Sequence, residues 1–444
     1  MAEILSRLNA DTAGERLDNL RQILRAGQLP AVGDDVNNHI HTTYSFSPYS
    51  PTAAAYMARV HGLCTAGIMD HDTIAGAREF IDACEMLGIG GTCGVECRVH
   101  LAGTAIRDRR TNNPDQRGLS YMMLHAVPHT RLDAVDAFFA PLRAKRNDRN
   151  RAMTAKLNEM LTEAGISIDF DRDVLPLSQY AAHGVVTERH LSSALANALE
   201  TTAGRGDALV RFIEKALRRP VGEKYRRMFC DADNPYFHYD LIGWIKAELV
   251  PAFYIDATDE CVGIREMLAF GESVGAITAY GYLGDVGDSV TGDKRAQKFE
   301  DDYLDELFDV IKELGFRGVT YMPARNTRAQ VDRLRAKIAE GGLFEISGED
   351  INQPRQPFIC MAMRDPAFFP LRESAFAMVA HERAADGLFS VKAAGMWPDL
   401  SERVEAFAEE GRRLGLRRQL CGQLHSKQLP GYGKRALLVQ HAIL

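Results

Sequence analysis

Between residues 36 and 101, short apolar segments alternate with longer helical ones: VNNHIH (36–41), PTAAAYMARVHG (51–62), CTAGIMD (64–70), TIAGAREFIDACEMLG (73–88) and GTCGVECRVHL (91–101). This alternation predicts repeated β–α units. Repeats at this spacing imply an α/β fold, in which a parallel sheet or barrel carries helices on its outside.

The alternation is interrupted further along the chain. Residues 132–170 have the pattern of one long basic helix, and the segment that follows is helix-rich without a clear strand. Strands and helices alternate again from VGAITAYGY (274–282) to LFEIS (343–347). We therefore predict four parts: a helical lead-in over 1–34, a barrel over 35–134 and 251–360, a helical insertion over 135–250, and a helical C-terminal extension over 361–444.

Composition excludes several classes of protein. The 444 residues are 46% hydrophobic and 25% charged, and the formal net charge of -7 lacks the basic footprint of a dedicated nucleic-acid binder. No apolar run approaches the roughly 18 residues of a membrane span, and the first residues alternate charges where a signal peptide is apolar. The eight cysteines include no C-x-x-C pair, which predicts reduced, mostly buried thiols. We expect a cytoplasmic protein without nucleic-acid or membrane partners.

His39 and His41 lie two residues apart at the end of an extended segment. Side chains two apart on a strand point to the same face, so both imidazoles could meet one metal ion. Two hydrogen-bonded histidines without a metal are the alternative. The pair alone does not decide between the two.

Acidic residues follow three other predicted strands. Asp70, His71 and Asp72 come after AGIM, where they could orient metal ligands or move protons, although Asp72 could equally be a helix N-cap. Glu96 stands inside the apolar strand GVECRV, and Asp350 follows LFEIS. Because active sites of such barrels assemble at the carboxyl ends of the strands, their shared position favours a common site.

The order HIHTTYS, MDHDT, GVE, TERHLSSAL, AITAYG and FRGVTYM…LFEISGED resembles the polymerase and histidinol phosphatase (PHP) superfamily over about residues 36–358. The layout is most similar to its nucleotide and phosphoester phosphatases. This resemblance implies a distorted, TIM-like (β/α)7 barrel interrupted by a helical insertion.

The resemblance also implies a metal centre. Its first metal position is complete and consists of His39, His41, Glu96 and Asp350. The positions of the further metals carry other residues: Phe46 for an acid, Tyr280 for a histidine, Asn352 for a histidine, and Tyr121 for a histidine that a shifted alignment could restore at His125. We therefore predict one tightly bound divalent ion, which this ligand set limits to Mn²⁺, Fe²⁺ or Zn²⁺ without choosing among them.

Several further residues are predicted to face a small anionic, phosphorylated substrate: Arg189, His190, Arg325, Tyr280 and Asn352. Arginines 107, 109 and 110 could also bind an anion, or be solvated surface charges. The predicted function is that of a metal-dependent phosphoesterase that uses a metal-activated water, with His71, Asp70 and Asp72 as the catalytic group. The alternatives are a mononuclear, non-hydrolytic metal enzyme (a lyase or an oxygen-using enzyme) and an inactive binding protein.

Overall fold

The fold is taken from a computed structural model, which describes residues 1–286, 298–385 and 409–412. Most of the predicted C-terminal extension, 361–444, lies outside the described residues. None of the described helices combines the length and the apolar character that crossing a membrane requires.

The centre of the molecule is a mixed β-sheet with helices packed around it, in agreement with the predicted α/β class. Its strands are β1 (Asp35–Ile40), β2 (Leu63–His71), β3 (Gly90–His100), β4 (Leu119–His125), β5 (Val262–Gly263), β6 (Ile277–Gly281), β7 (Gly318–Tyr321) and β8 (Phe344–Ser347). Seven of them follow one another in the order β1-β2-β3-β4-β6-β7-β8, while the short β5 pairs with β3. The sheet curls so far that its two edges meet: a parallel bridge joins Ile40 at the end of β1 to Ile351 beyond β8.

One strand departs from the predicted parallel arrangement. β4 is antiparallel to both β3 and β6, whereas the other paired strands run parallel. A parallel neighbour needs a crossover connection, usually a helix. The chain between β3 and β4 forms turns without a helix, so β4 returns in the opposite direction.

Helices surround the sheet in three groups. The lead-in forms α1 (Ala2–Leu8) and α2 (Ala13–Ala26), and the helices between strands are α3 (Pro51–Val60), α4 (Ala77–Leu87), α11 (Ile264–Ser273), α12 (Leu304–Leu314) and α13 (Arg328–Gly341). Between β4 and β5 lie α5 (Leu132–Leu161), α6 (Glu188–Ala203), α7 (Asp207–Ala216), α8 (Glu223–Cys230), α9 (Phe237–Glu248) and α10 (Val250–Phe253). The helices of this last group share a hydrophobic core of their own around Trp244 and Phe253, separate from the core around the sheet.

A last helix, α14 (Phe369–Ala385), packs against the sheet. Its Ala377 and Met378 belong to one buried cluster with Ile277 of β6 and Phe344 of β8. A side chain added at Gly90, the first residue of β3, would meet Val379 at 3.2 Å. α14 therefore lies at the amino-terminal ends of the strands, away from the end where the predicted site residues follow them.

Candidate metal centre

A cavity of about 510 Å³ opens at the carboxyl ends of the strands. The sheet contributes His39, His41, His71, Glu96 and Asp350 to its lining, and the helices between β4 and β5 contribute Arg146, Arg189, Lys246 and Tyr254. The cavity thus lies where the sheet meets the helical group.

Three of the predicted ligands converge around one point. The Nε2 atoms of His39 and His41 are 3.2 Å apart, and they lie 3.6 Å and 3.5 Å from Glu96 Oε2. All three side chains are buried. The spacing of the histidines explains the convergence: hydrogen bonds of His41 N and His39 O with Ile351 keep the backbone extended, so both rings leave it on one side.

Two further groups complete the cluster. Asp350 Oδ1 lies 3.2 Å from His41 Nε2. The same oxygen accepts a hydrogen bond from Asn352 Nδ2 at 2.6 Å. His71 Nδ1 lies 3.0 Å from Glu96 Oε2.

The donor atoms fit a divalent cation. Two metal–ligand bonds of about 2.1 Å at a tetrahedral angle separate their donor atoms by roughly 3.4 Å. The separations among His39, His41 and Glu96 are 3.2–3.6 Å, and Asp350 lies 3.2 Å from His41. Two imidazoles and two carboxylates suit Mn²⁺, Fe²⁺ or Zn²⁺.

The electrostatics of the cluster keep its carboxylates ionised. Burial alone would raise the pKa of Glu96, but His71 and His39 lower it far below its usual range. Burial likewise opposes ionisation of Asp350, yet the hydrogen bond and charge of His41 bring its pKa well below normal. Burial and the neighbouring His71 lower the pKa of His41, which favours a neutral ring able to bind a metal.

Asp70 fixes the orientation of His41 through a chain of hydrogen bonds. Its carboxylate accepts from Thr42 N at 2.7 Å, Thr42 Oγ1 at 2.6 Å and Ser45 Oγ at 2.6 Å. Since the Ser45 hydroxyl gives its proton to Asp70, the oxygen at 3.2 Å from His41 Nδ1 must accept from that ring. His41 is therefore held with its Nε2 lone pair directed at the cluster, so Asp70 is placed as a positioning group.

Replacing Asp70 by alanine is expected to lower both stability and metal affinity. It leaves the buried Thr42 N–H and two hydroxyls without their acceptor, which costs about 3 kcal/mol in the free energy of unfolding. Loss of the orienting chain weakens metal binding about tenfold to a hundredfold. Urea unfolding and a metal titration measure the two effects. Asp133→Ala, which removes an exposed partner of Arg78, is the control and should change neither.

Asp72 is placed differently from the prediction. Its carboxylate accepts from Arg146 Nη1 at 2.5 Å, and its backbone has a φ of 48°, which aspartate tolerates better than most residues. Asp72 therefore belongs to the ion-pair network between the sheet and α5 and is not among the residues that line the cavity.

The replaced ligand positions also become clear. Tyr121 lines the cavity with its ring 5.8 Å from that of His71. His125 is buried four residues further along β4; burial lowers its pKa to about 3, and its Nε2 has no hydrogen-bond partner among the described residues. Tyr121, not His125, thus occupies the position beside the cluster. Phe46 occupies the position at which the resemblance implies an acid. Its ring packs edge-on against that of His190, with the ring centroids 4.9 Å apart.

The predicted substrate residues divide into two sets. Arg189 and Asn352 line the cavity, and the guanidinium of Arg189 has no hydrogen-bond or ion-pair partner among the described residues. Arg325 and Tyr280 do not line it: Arg325 lies near Glu349, and Tyr280 is 1% exposed and donates its hydroxyl to Glu300. His190 is buried at the start of α6, where its Nδ1 accepts from Thr187 N.

The arginines of the 107–110 loop are not cavity residues either. Arg109 pairs with Glu306 at 2.8 Å, and Arg107 lies 3.4 Å from Asp108, both at the surface. For Arg107 and Arg109, solvated surface charge is the interpretation that fits the structure. Other residues of the loop, Asn112 and Asp115, do reach the cavity.

Sequence reasoning missed two cations of the cavity. Lys246 of α9 lines it and has no ion-pair partner among the described residues. Arg146 of α5 also lines it, 4% exposed, with its Nη groups bound to Asp72 and Glu188. Both stand in helical segments without a motif. The one available signal was the arginines at positions 143, 146 and 149 of α5, whose helical spacing puts them on one face.

No protein-family model and no curated protein matches the sequence. Among solved structures, the chain is similar to a protein from Bifidobacterium adolescentis described as a metal-dependent phosphoesterase, at 20% identity and a TM-score of 0.48, over 75% of this chain and 92% of that one. It is also similar to an amidohydrolase from Chromobacterium violaceum with bound sulfate and no metal, at 15% identity and a TM-score of 0.46, over 73% and 90%. Because both TM-scores lie below 0.5, the site is interpreted from its own geometry.

Proposed function

We propose that the protein is a metal-dependent hydrolase of the PHP type, which cleaves a phosphoester of a small anionic substrate. One observation carries this proposal. The metal-binding atoms of His39, His41 and Glu96 converge, with Asp350 beside His41, in a cavity that also presents the cations Arg189 and Lys246. Metal ligands beside two cations that form no ion pair among the described residues suit an anion that a metal can also polarise.

The residues of the cavity have separate roles in this proposed reaction. A divalent cation held by the four ligands would supply Lewis-acid activation of water and of the substrate. Glu96 accepts from His71 Nδ1, which leaves the Nε2 lone pair of that ring free to take a proton from the attacking water. The resulting imidazolium can return the proton to the leaving oxygen. Arg189 and Lys246 bind the anionic part of the substrate.

Elemental analysis of the purified protein, combined with a screen of phosphorylated metabolites, tests this function. We expect one Mn²⁺, Fe²⁺ or Zn²⁺ at the cluster and release of inorganic phosphate that a chelator stops. A protein that hydrolyses phosphoesters equally well without metal contradicts the proposal.

A different reaction is favoured by the residues at the replaced positions. Phe46 and Tyr121 offer an apolar ring and a phenol where carboxylate or imidazole ligands of further metals would be needed, so the clamp of a multi-metal phosphatase is incomplete. A mononuclear lyase or oxygen-using enzyme is the second candidate. Iron as the bound metal, without phosphate release from any substrate screened, would favour it.

The unpaired cations give a prediction of their own. Arg189→Gln and Lys246→Gln are each expected to raise the KM for a phosphorylated substrate about tenfold or more, since a hydrogen bond to a charged group contributes about 1.5–3 kcal/mol. The value of kcat should change less, because the metal ligands remain. Steady-state kinetics measures both constants. Arg107→Gln, which alters an exposed arginine outside the cavity, is the control, and an equal rise in its KM would contradict the assignment.

A further inference from the structure

A second group of metal-binding side chains lies outside the cavity. Cys93 Sγ, a ring nitrogen of His129 and a carboxylate oxygen of Glu382 all lie within 4.8 Å of one another. They come from three elements distant in sequence: β3, the connection that follows β4, and α14. Cys93 and Glu382 are each 1% exposed, and the side chain of His129 is 21% exposed.

We propose that Cys93, His129 and Glu382 bind a Zn²⁺ ion that fastens α14 to the sheet. A thiolate, an imidazole and a carboxylate are the three side-chain donors that Zn²⁺ uses, and this mixture suits zinc better than the oxygen-preferring Mg²⁺, Ca²⁺ or Mn²⁺. The partial exposure of His129 leaves room for a water molecule as the fourth ligand.

The present contacts show how an ion would enter. Glu382 accepts a hydrogen bond from Cys93 N at 3.0 Å and directly contacts His129 Nε2 through its other oxygen. The Cys93 thiol points at Val127 O, 3.3 Å away. Zinc would replace the thiol proton and the hydrogen on His129 Nε2, with His129 Nδ1 carrying the one proton of the neutral ring, and His129 and Glu382 would separate to the roughly 3.3 Å that two bonds to zinc span. Binding therefore releases protons to solvent, and no oxidant or other reactant is needed.

The position of the group indicates a structural role. Cys93 lies three residues before Glu96 on β3, and α14 packs its Ala377 and Met378 against β6 and β8 at the amino-terminal ends of the strands. An ion bound here would join α14 to β3 independently of the apolar contacts. The cavity, at the opposite strand ends, would keep its own metal.

Cobalt substitution separates this site from the first. Bound to a thiolate, Co²⁺ gives a sulfur-to-metal charge-transfer band in the near ultraviolet, and the first site has no cysteine among its four ligands. The full-length protein, stripped with a chelator and titrated with Co²⁺, is expected to show this band. Cys93→Ser should abolish it, whereas Cys97→Ser, which alters another buried cysteine of the same strand, should keep it.

Two results would overturn the proposal. One is the absence of the band in the wild-type protein, because the three side chains would then only form hydrogen bonds and bind no metal. The other is a band that survives Cys93→Ser. If Cys93→Ser does not fold, Glu382→Gln replaces it, because glutamine can still accept from Cys93 N. Titration of the thiolate band should show that this variant binds Co²⁺ at least tenfold more weakly than the wild type. Unchanged Co²⁺ affinity in a folded Glu382→Gln protein also refutes the site.

Discussion

The Glu96→Gln protein is expected to lose its bound metal at the cavity and nearly all of its turnover. Glu96 Oε2 lies within 3.6 Å of His39 and His41 and 3.0 Å from His71, so one oxygen serves the ion and the proposed proton carrier. Glutamine keeps the shape but removes the charge. A metal supplies several kcal/mol of transition-state stabilisation, and losing about 4 kcal/mol lowers kcat/KM roughly a thousandfold.

Elemental analysis and kinetics on the same preparation measure this prediction, and His39→Ala and Asp350→Ala should behave alike. The control is Glu345→Gln, which alters a carboxylate of β8 that pairs with Arg335 and does not line the cavity. It should retain both metal and activity. Full turnover in a metal-free Glu96→Gln protein would show that the cluster is not the catalytic centre.

Local pattern was enough to predict the centre of this cluster. Residues two apart on a strand point to the same face, so the sequence alone could place the His39 and His41 side chains together. The positions of Glu96 and Asp350 relative to predicted strands favoured a shared site, since parallel strands bring their carboxyl ends to one edge. Their assignment as metal ligands came from the resemblance to the PHP superfamily. The α/β class followed from the same alternation.

Features that depend on packing between distant elements could not be predicted. Tyr280 was expected at the substrate, but it lies one residue from Gly281, which does line the cavity, and a shift of one residue on a strand reverses the face. Lys246 reaches the cavity only because α9 packs beside the sheet. The direction of β4 depended on a connection whose turns carry no periodic signal.

The helical group shows this dependence most strongly, because α5 meets the sheet through buried charges. Glu188 lies 2.5 Å from Arg149, 3.0 Å from Arg146 and 3.4 Å from Arg98, and these arginines also pair with Asp72 and Glu260. All three arginines are at most 8% exposed. The sequence predicted a basic helix here, but it could not show that this basic face is buried against carboxylates from three other elements.

Replacing Glu188 by glutamine is therefore expected to lower the free energy of unfolding by about 3 kcal/mol or more. Removing one partner of a buried ion pair leaves the other charge uncompensated, and here three guanidiniums lose a shared carboxylate. Glu306→Gln, which breaks the exposed pair with Arg109, is the control and should cost less than about 1 kcal/mol. Urea unfolding of the two variants at neutral pH gives the comparison.

The pH dependence of stability provides a second measure of the same residue. Burial alone would raise the pKa of Glu188, but Arg146, Arg149 and Arg98 hold it well below its usual value. Because the folded-state pKa is the lower one, this stabilisation is complete above the unfolded value of about 4.3 and is lost as the pH falls towards the folded value. The wild-type protein should therefore lose stability on acidification more steeply than Glu188→Gln, which has no carboxylate to protonate. If the free energy of unfolding fell equally steeply with acidification in both proteins, the charge of Glu188 would not be what holds the helical group to the sheet.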